Sequence, residues 1–232
     1  MSVFSEELNT LCTQNGYEVS KDALQSMELY YDCMVETNKQ YNLTAITAPK
    51  DAALKHFFDS IVPCALLPKN GRVVDVGSGA GFPIAPLKAV RKDIRAFAVE
   101  SSKKKCDFIV EASRQASLDV TVFCERAEVI AAGKPRESFD ACVSRAVAPL
   151  RVLCELCAPL LKNGGLFFAY KGEYEEELAQ AKKALVVLNL QLVEKLRMPH
   201  EEYAHHILVF RKTGENAAKY PRRYAQIVKS PL

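Results

Sequence analysis

Arg72-Val-Val-Asp-Val-Gly-Ser-Gly-Ala-Gly-Phe82 is the stretch of this chain that decides its fold. The apolar run at residues 73–76 predicts a short buried strand, and three glycines at alternate positions follow it, before a segment with a helical pattern. Glycine allows the backbone to turn tightly after a strand and allows a bound ligand to approach the main chain closely. The stretch therefore predicts a strand, a ligand-binding loop and a helix, in that order.

The spacing of the glycines indicates which ligand the loop binds. In the dinucleotide fingerprint G-x-G-x-x-G, the third glycine would occupy position 82, where this chain has Phe82. The pattern is instead Asp-x-Gly-x-Gly-x-Gly, in which Asp75 precedes Gly77, Gly79 and Gly81. That pattern resembles the first motif of S-adenosylmethionine-dependent methyltransferases, whose ligand carries no pyrophosphate.

Apolar strands alternate with amphipathic helices from residue 72 onward. The strand candidates are 72–76, 95–100, 119–124, 139–144, 165–170, 190–197 and 205–211, and the helix candidates are 83–91, 102–117, 126–132, 149–161 and 173–188. Such alternation predicts a parallel sheet with helices on both faces. The last two strands, joined by a loop at 198–203, are expected to pair antiparallel at the sheet edge. This order is typical of an α/β, Rossmann-like class I methyltransferase fold with a seven-stranded, mostly parallel sheet.

We expect three segments along the chain. Residues 1–66 carry apolar residues at three- and four-residue spacings, which predicts a helical N-terminal extension. Within it, Ser20 is expected to cap a helix, and a further helix is expected at about 49–62. Residues 67–213 would form the S-adenosylmethionine-binding domain, and residues 214–232 a basic C-terminal tail.

The bulk properties of the chain exclude several classes of protein. Its 232 residues, 49% of them hydrophobic, suffice for a packed core and exclude wholesale disorder. No apolar run approaches the roughly 18 residues of a membrane span, and the N-terminus lacks the basic and apolar regions of a signal peptide. We therefore expect a cytoplasmic, monomeric protein whose eight scattered cysteines are reduced and buried.

Positive charge is unevenly distributed along the chain. Residues 1–60 carry a formal charge of −5, so the remainder carries +8. A one-sided basic distribution suggests a polyanionic partner, although ordinary solvated helix faces are an equal alternative. Lys103 and Lys104 in one basic cluster, and Arg222 and Arg223 in the tail, are the candidates for contacting RNA.

The residues that follow the second and third strands are candidates for a binding site, because ligands of such sheets bind beyond the carboxyl ends of the strands. Glu100 ends the second strand and can accept hydrogen bonds from the ribose hydroxyls of an adenosine moiety. The alternative for Glu100 is a surface acid that opens the next helix, where Ser102 could also cap. Ala127 and Glu128 follow the third strand, where they could contact adenine or merely cap a helix.

The ends of the fourth and fifth strands provide the two candidates for catalytic residues, Arg145 and Lys171. Arginine is almost never fully buried without a partner, so Arg145 could bind the carboxylate of the cofactor or an RNA phosphate. A structural ion pair is the alternative for Arg145. Lys171 is a candidate for contact with a phosphate or with the substrate.

The sequence lacks the residues that several other kinds of chemistry require. Cys142 lies inside a strand, which suits packing better than nucleophilic attack on a pyrimidine. Cys154 and Cys157 have no second pair of ligands nearby, so we expect no metal site. A ring nitrogen such as guanine N7 needs neither nucleophile nor base from the protein, because it has a free lone pair and no proton to lose. Such an acceptor requires only that the two reactants be held in line.

Seven segments together resemble the ribosomal RNA small subunit methyltransferase G family, also called the glucose-inhibited division protein B family. They are Tyr41-Asn-Leu-Thr44, His56-Phe-Phe-Asp59-Ser60, the stretch from Asp75 to Pro83, Glu100-Ser101 with the basic run that follows, Val143-Ser-Arg145-Ala146, Tyr170-Lys171-Gly172 and the tail from Tyr220 to Leu232. The resemblance implies methylation of N7 of a guanine in bacterial 16S rRNA, with S-adenosyl-L-methionine as the cofactor and the rRNA or the small ribosomal subunit as the partner.

The same resemblance carries the family's cofactor contacts onto Gly77, Phe82, Ala127-Glu128 and Arg145 of this chain. Glu100 joins them from its position at the end of the second strand, and Asp75, Gly79 and Gly81 join them from the pattern of the glycine loop. A methyltransferase of a small molecule and a non-catalytic RNA-binding assembly factor are the two alternative functions.

Overall fold

The structure, a computed structural model, describes residues 2–200 and 205–232, so positions 201–203 of the predicted loop lie outside the described residues. The strands are β1 (Arg72–Val76), β2 (Arg95–Glu100), β3 (Val120–Cys124), β4 (Phe139–Arg145), β5 (Leu161–Lys171), β6 (Leu190–Arg197) and β7 (His206–Lys212). The helices are α1 (Val3–Gln14), α2 (Lys21–Asn38), α3 (Pro49–Ala52), α4 (Asp59–Ile61), α5 (Ile84–Val90), α6 (Lys103–Gln115), α7 (Ala127–Ala132), α8 (Leu150–Cys157), α9 (Glu175–Gln180), α10 (Lys182–Val187) and α11 (Tyr224–Lys229).

The seven strands form one sheet in the order β3-β2-β1-β4-β5-β7-β6. Strands β1 to β5 pair in parallel, whereas β7 lies antiparallel to both β5 and β6. The predicted Rossmann-like fold and the antiparallel pair at the edge are thus confirmed. The chain reverses its direction of travel across the sheet between β1 and β4, which is where ligands bind in such sheets.

The N-terminal helices pack on one face of the sheet and share its hydrophobic core. Met27, Tyr30 and Met34 recur at helical spacing along α2 and are fully buried, in one cluster with Val73 of β1. The predicted cap is confirmed, because the Ser20 hydroxyl accepts a hydrogen bond of 3.2 Å from the backbone N–H of Ala23. The N-terminal extension and this face of the sheet therefore share one hydrophobic core.

A second hydrophobic cluster covers the other face of the sheet and includes the C-terminal tail. Helix α8 contributes Cys154 and Cys157, both fully buried, which agrees with the packing role expected for this pair. Tyr220 and Ile227 of the tail are buried in the same cluster. The tail is thus folded onto the body of the protein.

The structure corrects several predicted boundaries. The predicted helix at 173–188 divides into α9 and α10 at Ala181, and the helix predicted at 49–62 winds as a wider π-helix through Ala53–Phe58. Strand β5 begins at Leu161 rather than at residue 165, because a register shift opposite β4 accommodates its two glycines within the strand. The spacing of apolar residues along the sequence does not reveal such bulges.

The cysteines differ partly from the expectation that all are buried. Cys124 is exposed, and Cys33 and Cys64 are half-buried, although all eight cysteines have free thiols. Cys124 ends β3 at the outer edge of the sheet, where its side chain lacks a covering layer. Within the described ranges, no helix combines the length and the apolarity that a membrane crossing requires.

Candidate active site

A cavity of about 430 Å³ lies beyond the carboxyl ends of β1, β2, β3 and β4, and we call it the first cavity. Its walls include seven of the residues predicted to bind a cofactor, namely Gly77, Gly79, Phe82, Glu100, Ala127, Glu128 and Arg145. Since these residues stand at the carboxyl ends of four different strands or shortly after them, the parallel sheet is what brings them together. The cavity lies at the point where the strand order reverses, as expected for this fold.

The loop after β1, residues 77–81, adopts a backbone conformation that favours glycine. At Gly77, where φ is +74°, an added Cβ would lie 2.3 Å from Cγ2 of Val147. At Gly79, where φ is +58°, an added Cβ would meet nothing within 4 Å. The backbone at Gly79 is therefore open to a ligand, whereas Gly77 is packed against the segment that follows β4.

Glu100 anchors this loop and remains in the wall of the first cavity. One carboxylate oxygen accepts a hydrogen bond of 3.0 Å from the N–H of Gly79, and the other accepts one of 2.8 Å from the N–H of Ser102. Ser102 itself makes no capping bond with its side chain. The carboxylate, only 9% exposed, thus connects the glycine loop to the start of α6 while keeping free lone pairs for a ligand.

Two predicted cofactor contacts, Asp75 and Gly81, lie behind the loop and outside the lining of the first cavity. An added Cβ at Gly81 would lie 2.0 Å from the hydroxyl oxygen of Tyr30, so this glycine makes room for α2. Asp75 is fully buried, and neither carboxylate oxygen has a hydrogen-bond partner among the described residues. Burial raises the pKa of Asp75 to about 7.

Arg145 takes part in the structural ion pair that was its alternative role. Its guanidinium donates to the carbonyl of Lys55 at 2.7 Å and to Oδ2 of Asp59 at 2.9 Å. It also donates to Nδ1 of His56 at 3.1 Å. Asp59 is 1% exposed and holds Nδ1 of His205 with its other oxygen, at 2.7 Å. Arg145 therefore links β4 to the N-terminal helices while still lining the cavity.

His56 is a site residue that strand-end reasoning missed. Because Arg145 can only donate, Nδ1 of His56 must accept, so Nε2 carries the proton and donates to Oγ1 of Thr44 at 2.9 Å. Burial, together with the charge of Arg145, lowers the pKa of His56 to about 4. The neutral ring stacks on Phe82, with centroids 4.7 Å apart.

Thr44, His56 and Asp59 come from the N-terminal extension, so no rule about strand ends could have found them. Their only signal in the sequence was that they stand in segments resembling a known family. His56 lies in the π-helical stretch 53–58, a type of irregularity that is frequent at functional sites. The extension therefore forms one wall of the site.

A second cavity of about 500 Å³ adjoins the first and shares His56, Arg145, Ala146 and Val147 with it. Lys171 lines this second cavity and not the first. Its ammonium group donates to Oε2 of Glu177 at 2.7 Å and to the carbonyl of Ala148 at 2.8 Å. The structure thus brings Lys171 near the shared wall, with its charge paired by α9.

The four residues predicted to contact RNA lie in different surroundings. Lys103 and Lys104 are exposed at the start of α6, where Lys103 pairs with Asp107 and Lys104 lies over the ring of Tyr41. Arg223 is also exposed. Arg222 is instead held by the fully buried carboxylate of Glu155.

Arg222 forms a two-pronged ion pair with Glu155 of α8. Its Nη2 lies 2.5 Å from one carboxylate oxygen, and its Nε lies 2.8 Å from the other. Glu155 is 0% exposed, so this buried ion pair holds the tail against α8 and neutralises the charge of Arg222. Contact of Arg222 with RNA stays a prediction, and the sequence analysis did not identify this carboxylate, which lies 67 residues before Arg222.

The end of the first cavity near Ala127 contains two further residues that the sequence analysis missed. Arg126 precedes α7, and Tyr224 begins α11 in the tail. The guanidinium carbon of Arg126 lies 5.5 Å from the centroid of the Tyr224 ring. Among the described residues, no group of three or more histidines, cysteines or acidic residues could hold a metal ion.

Two solved structures have a fold similar to that of this chain. The S-adenosylmethionine-dependent O-methyltransferase of Thermotoga maritima has a TM-score of 0.53 and 20% identity, over 79% of this chain and 72% of its own. The fibrillarin of Aeropyrum pernix, solved with natively bound S-adenosyl-L-methionine, has a TM-score of 0.53 and 12% identity, over 66% of this chain and 76% of its own. At these identities the likeness concerns the fold.

Proteins of known name are similar over almost the whole chain. The ribosomal RNA small subunit methyltransferase G of Bacillus subtilis is 41% identical over 98% of both chains. The protein of the same name from Halalkalibacterium halodurans is 41% identical over 94% of this chain and 95% of its own. The sequence model of GidB, described as rRNA small subunit methyltransferase G, matches residues 23–208. The chain therefore belongs to the rRNA small subunit methyltransferase G family.

Proposed function

We propose that this protein transfers a methyl group from S-adenosyl-L-methionine to N7 of a guanine in 16S rRNA. The observation that carries the proposal is the pair of adjoining cavities, with one wall shared by His56 and Arg145. Two adjoining chambers suit a reaction between two bound molecules. Membership of the family, whose name specifies the rRNA of the small subunit, supports this choice of substrate.

The first cavity fits the cofactor in size and in chemistry. Its volume of about 430 Å³ falls in the range of small-molecule sites. Glu100 would accept hydrogen bonds from the ribose hydroxyls, and the open backbone at Gly79 would lie against the ligand. Residues 127–128 would contact adenine, and Arg145 would face the carboxylate of the methionine moiety. When bound, the cofactor supplies an electrophilic methyl group on a sulfonium.

The second cavity would receive the target guanine next to the shared wall. Methyl transfer forms a bond from the N7 lone pair to the methyl carbon, while the carbon–sulfur bond breaks with its electron pair moving to sulfur. The products are a cationic 7-methylguanine and a neutral thioether, and no proton is transferred. The protein therefore needs to position the two reactants rather than to supply a base.

The groups at the shared wall agree with this requirement. His56 has both ring nitrogens in hydrogen bonds and a pKa lowered to about 4, so it is neutral near pH 7 and already holds its proton in place. Arg145 is a cation and cannot serve as a base. An acceptor that must lose a proton would lack an obvious partner at this wall.

Mass spectrometry of 16S rRNA tests the proposal directly. A strain without the gene should lack one 7-methylguanosine, and the wild-type gene should restore it. Gly77→Asp should fail to restore it, because the new side chain would collide with Val147 and fill the cavity. Gly16→Asp is the matched control, since Gly16 has a similar φ of +74° with nothing within 4 Å of an added Cβ.

Unchanged rRNA in the deletion strain would overturn the proposal in favour of a non-catalytic assembly factor. Methylation of a small molecule without RNA, by purified protein, would favour the other alternative. In that case, the activity should depend little on salt concentration, whereas binding of RNA weakens steeply as salt rises.

A further inference from the structure

We propose that the C-terminal tail, residues 214–232, is part of the cofactor site, and that the ring of Tyr224 binds the adenine of the cofactor. The inference rests on the proposed function and extends it to a binding residue. It assigns the tail a role besides contact with RNA. Three features support it, namely the docking of the tail, the position of Tyr224 and the chemistry of its neighbours.

The tail is docked by both polar and apolar contacts. Besides the ion pair of Arg222 with the buried Glu155, Arg136 donates to the carbonyl of Tyr220 at 2.5 Å and to that of Asn216 at 2.9 Å. Ile227 is 0% exposed within the hydrophobic cluster around α8. A segment held in this way presents its side chains from a defined position, as a binding wall must.

Tyr224 lies at the adenine end of the first cavity. It lines the cavity together with Leu156 of α8 and with Arg126 and Ala127, which follow β3. Glu100, the proposed ribose ligand, ends the neighbouring strand β2. The position of Tyr224 beside the residues that follow β3 therefore places its ring next to the base rather than next to the methionine moiety.

The chemistry of this corner suits a flat aromatic base. The ring of Tyr224 and the side chain of Leu156 provide apolar contact area, and the guanidinium of Arg126 lies 5.5 Å from the tyrosine ring centroid. Aromatic side chains and arginine planes are the groups on which nucleic-acid bases stack in proteins. The tail thus supplies the one aromatic ring among the described residues that line this end of the cavity.

Arg222 serves as a positioning residue for this ring. It stands two residues before Tyr224 and is held at both its guanidinium and its backbone N–H by Glu155. Removal of the Arg222 side chain should therefore displace Tyr224 without changing the position of the methyl group that is transferred. Arg222→Met should raise KM for S-adenosylmethionine and leave kcat unchanged, and Arg222→Lys should restore part of the lost affinity.

Titration calorimetry with S-adenosylhomocysteine, on the full-length protein, tests the role of the ring. Tyr224→Leu keeps apolar volume but removes the aromatic face, and should weaken binding by roughly ten- to hundredfold. Tyr224→Phe should bind within about twofold of the wild type, because the ring face is retained. Arg223→Ala, at the exposed neighbouring position, is the matched control and should bind like the wild type. Adenosine alone should lose affinity for Tyr224→Leu by the same factor.

The outcomes separate this inference from the proposed function. Wild-type affinity for S-adenosylhomocysteine in Tyr224→Leu would overturn the inference. The proposed methylation of rRNA would still stand after that result. Equal losses in Tyr224→Phe and Tyr224→Leu would also overturn it, because the hydroxyl and not the ring would then be responsible. Failure of the wild type to bind S-adenosylhomocysteine would instead refute the proposed function.

Discussion

At the scale of single residues, the three glycines of the loop after β1 serve three different purposes. Gly77 allows close contact with Val147, Gly79 leaves its backbone open to the cavity, and Gly81 makes room for the hydroxyl of Tyr30. A sequence pattern shows only that glycine stands at alternate positions. The reason for each glycine depends on a neighbour that is distant in sequence.

Gly81→Ala should lower the free energy of unfolding by about 3 kcal/mol, from strain at its positive φ and from collision with Tyr30. Tyr30→Phe should recover part of this loss in the double variant, because the atom only 2.0 Å from the new Cβ is the tyrosine hydroxyl. Gly16→Ala, which has a similar φ and open space, should cost only about 1 kcal/mol. Denaturant unfolding measures all three, and no recovery in the double variant would contradict the collision.

Asp75 should make stability depend on pH, because burial raises its pKa in the folded state to about 7. The folded protein then holds a proton that the unfolded chain has released, so stability falls as pH rises from about 4 to about 7. Relative to Asp75→Asn, the wild type should lose up to about 4 kcal/mol across this range and nothing further above it.

Unfolding in denaturant at pH 4, 5.5, 7 and 8 would measure this difference. His56 contributes the opposite slope, since its lowered pKa means that the unfolded chain takes up the proton below about pH 6.5. Both proteins contain His56, so their difference isolates Asp75. Parallel pH profiles would show that Asp75 finds a partner when ionised.

At the scale of elements, the position of the N-terminal helices was harder to predict than their existence. Helical spacing predicted α1 and α2, and Ser20 was recognised as a cap. The spacing did not indicate that the π-helical stretch 53–58 would carry His56 into the wall of the cavity. That placement depends on packing against Phe82 and on the hydrogen bonds of Arg145.

The docking of the tail on α8 makes a prediction about stability. Arg222→Met should lower the free energy of unfolding by about 3 kcal/mol, because it leaves the carboxylate of Glu155 buried without its partner. The double variant with Glu155→Met should be much closer to the wild type, since no buried charge remains. Thermal and denaturant unfolding measure both proteins, and a loss below about 1 kcal/mol in the single variant would contradict the prediction.

At the scale of the whole molecule, the positive charges divide into those held by the fold and those open to a partner. Arg145, Lys171 and Arg222 are paired with Asp59, Glu177 and Glu155. Lys104 and Arg223 are exposed. Net charge alone therefore overstates the charge that is available to RNA.

Binding of a 16S rRNA fragment should weaken as salt rises, and the steepness should reflect the number of phosphates contacted. Lys104→Ala should reduce the slope of log K against log salt by about 1, because Lys104 is exposed in the first turn of α6, next to Lys105, which lines the first cavity. Lys183→Ala, on α10 at the opposite face of the sheet, should leave the slope unchanged. Equal slopes in the three proteins would show that RNA approaches elsewhere.

The sequence by itself determined the sheet, the loop after β1 and the position of most of the first cavity. These features follow from local patterns, because strands, turns and helices are encoded by the spacing of apolar residues and glycines, and parallel strands end at one edge. Asp75 and Gly81 were assigned to the cavity because their pattern gives no information about which side of the loop faces the ligand.

Only the tertiary structure decided which charged groups are partners and which distant segments form the walls. Asp59 meets Arg145 across 86 residues, and Glu155 meets Arg222 across 67 residues. Contacts at such separations leave no periodic signal, since they depend on how whole elements pack. For the same reason, the sequence presented the tail as a basic arm, whereas the structure folds Tyr224 into the cavity.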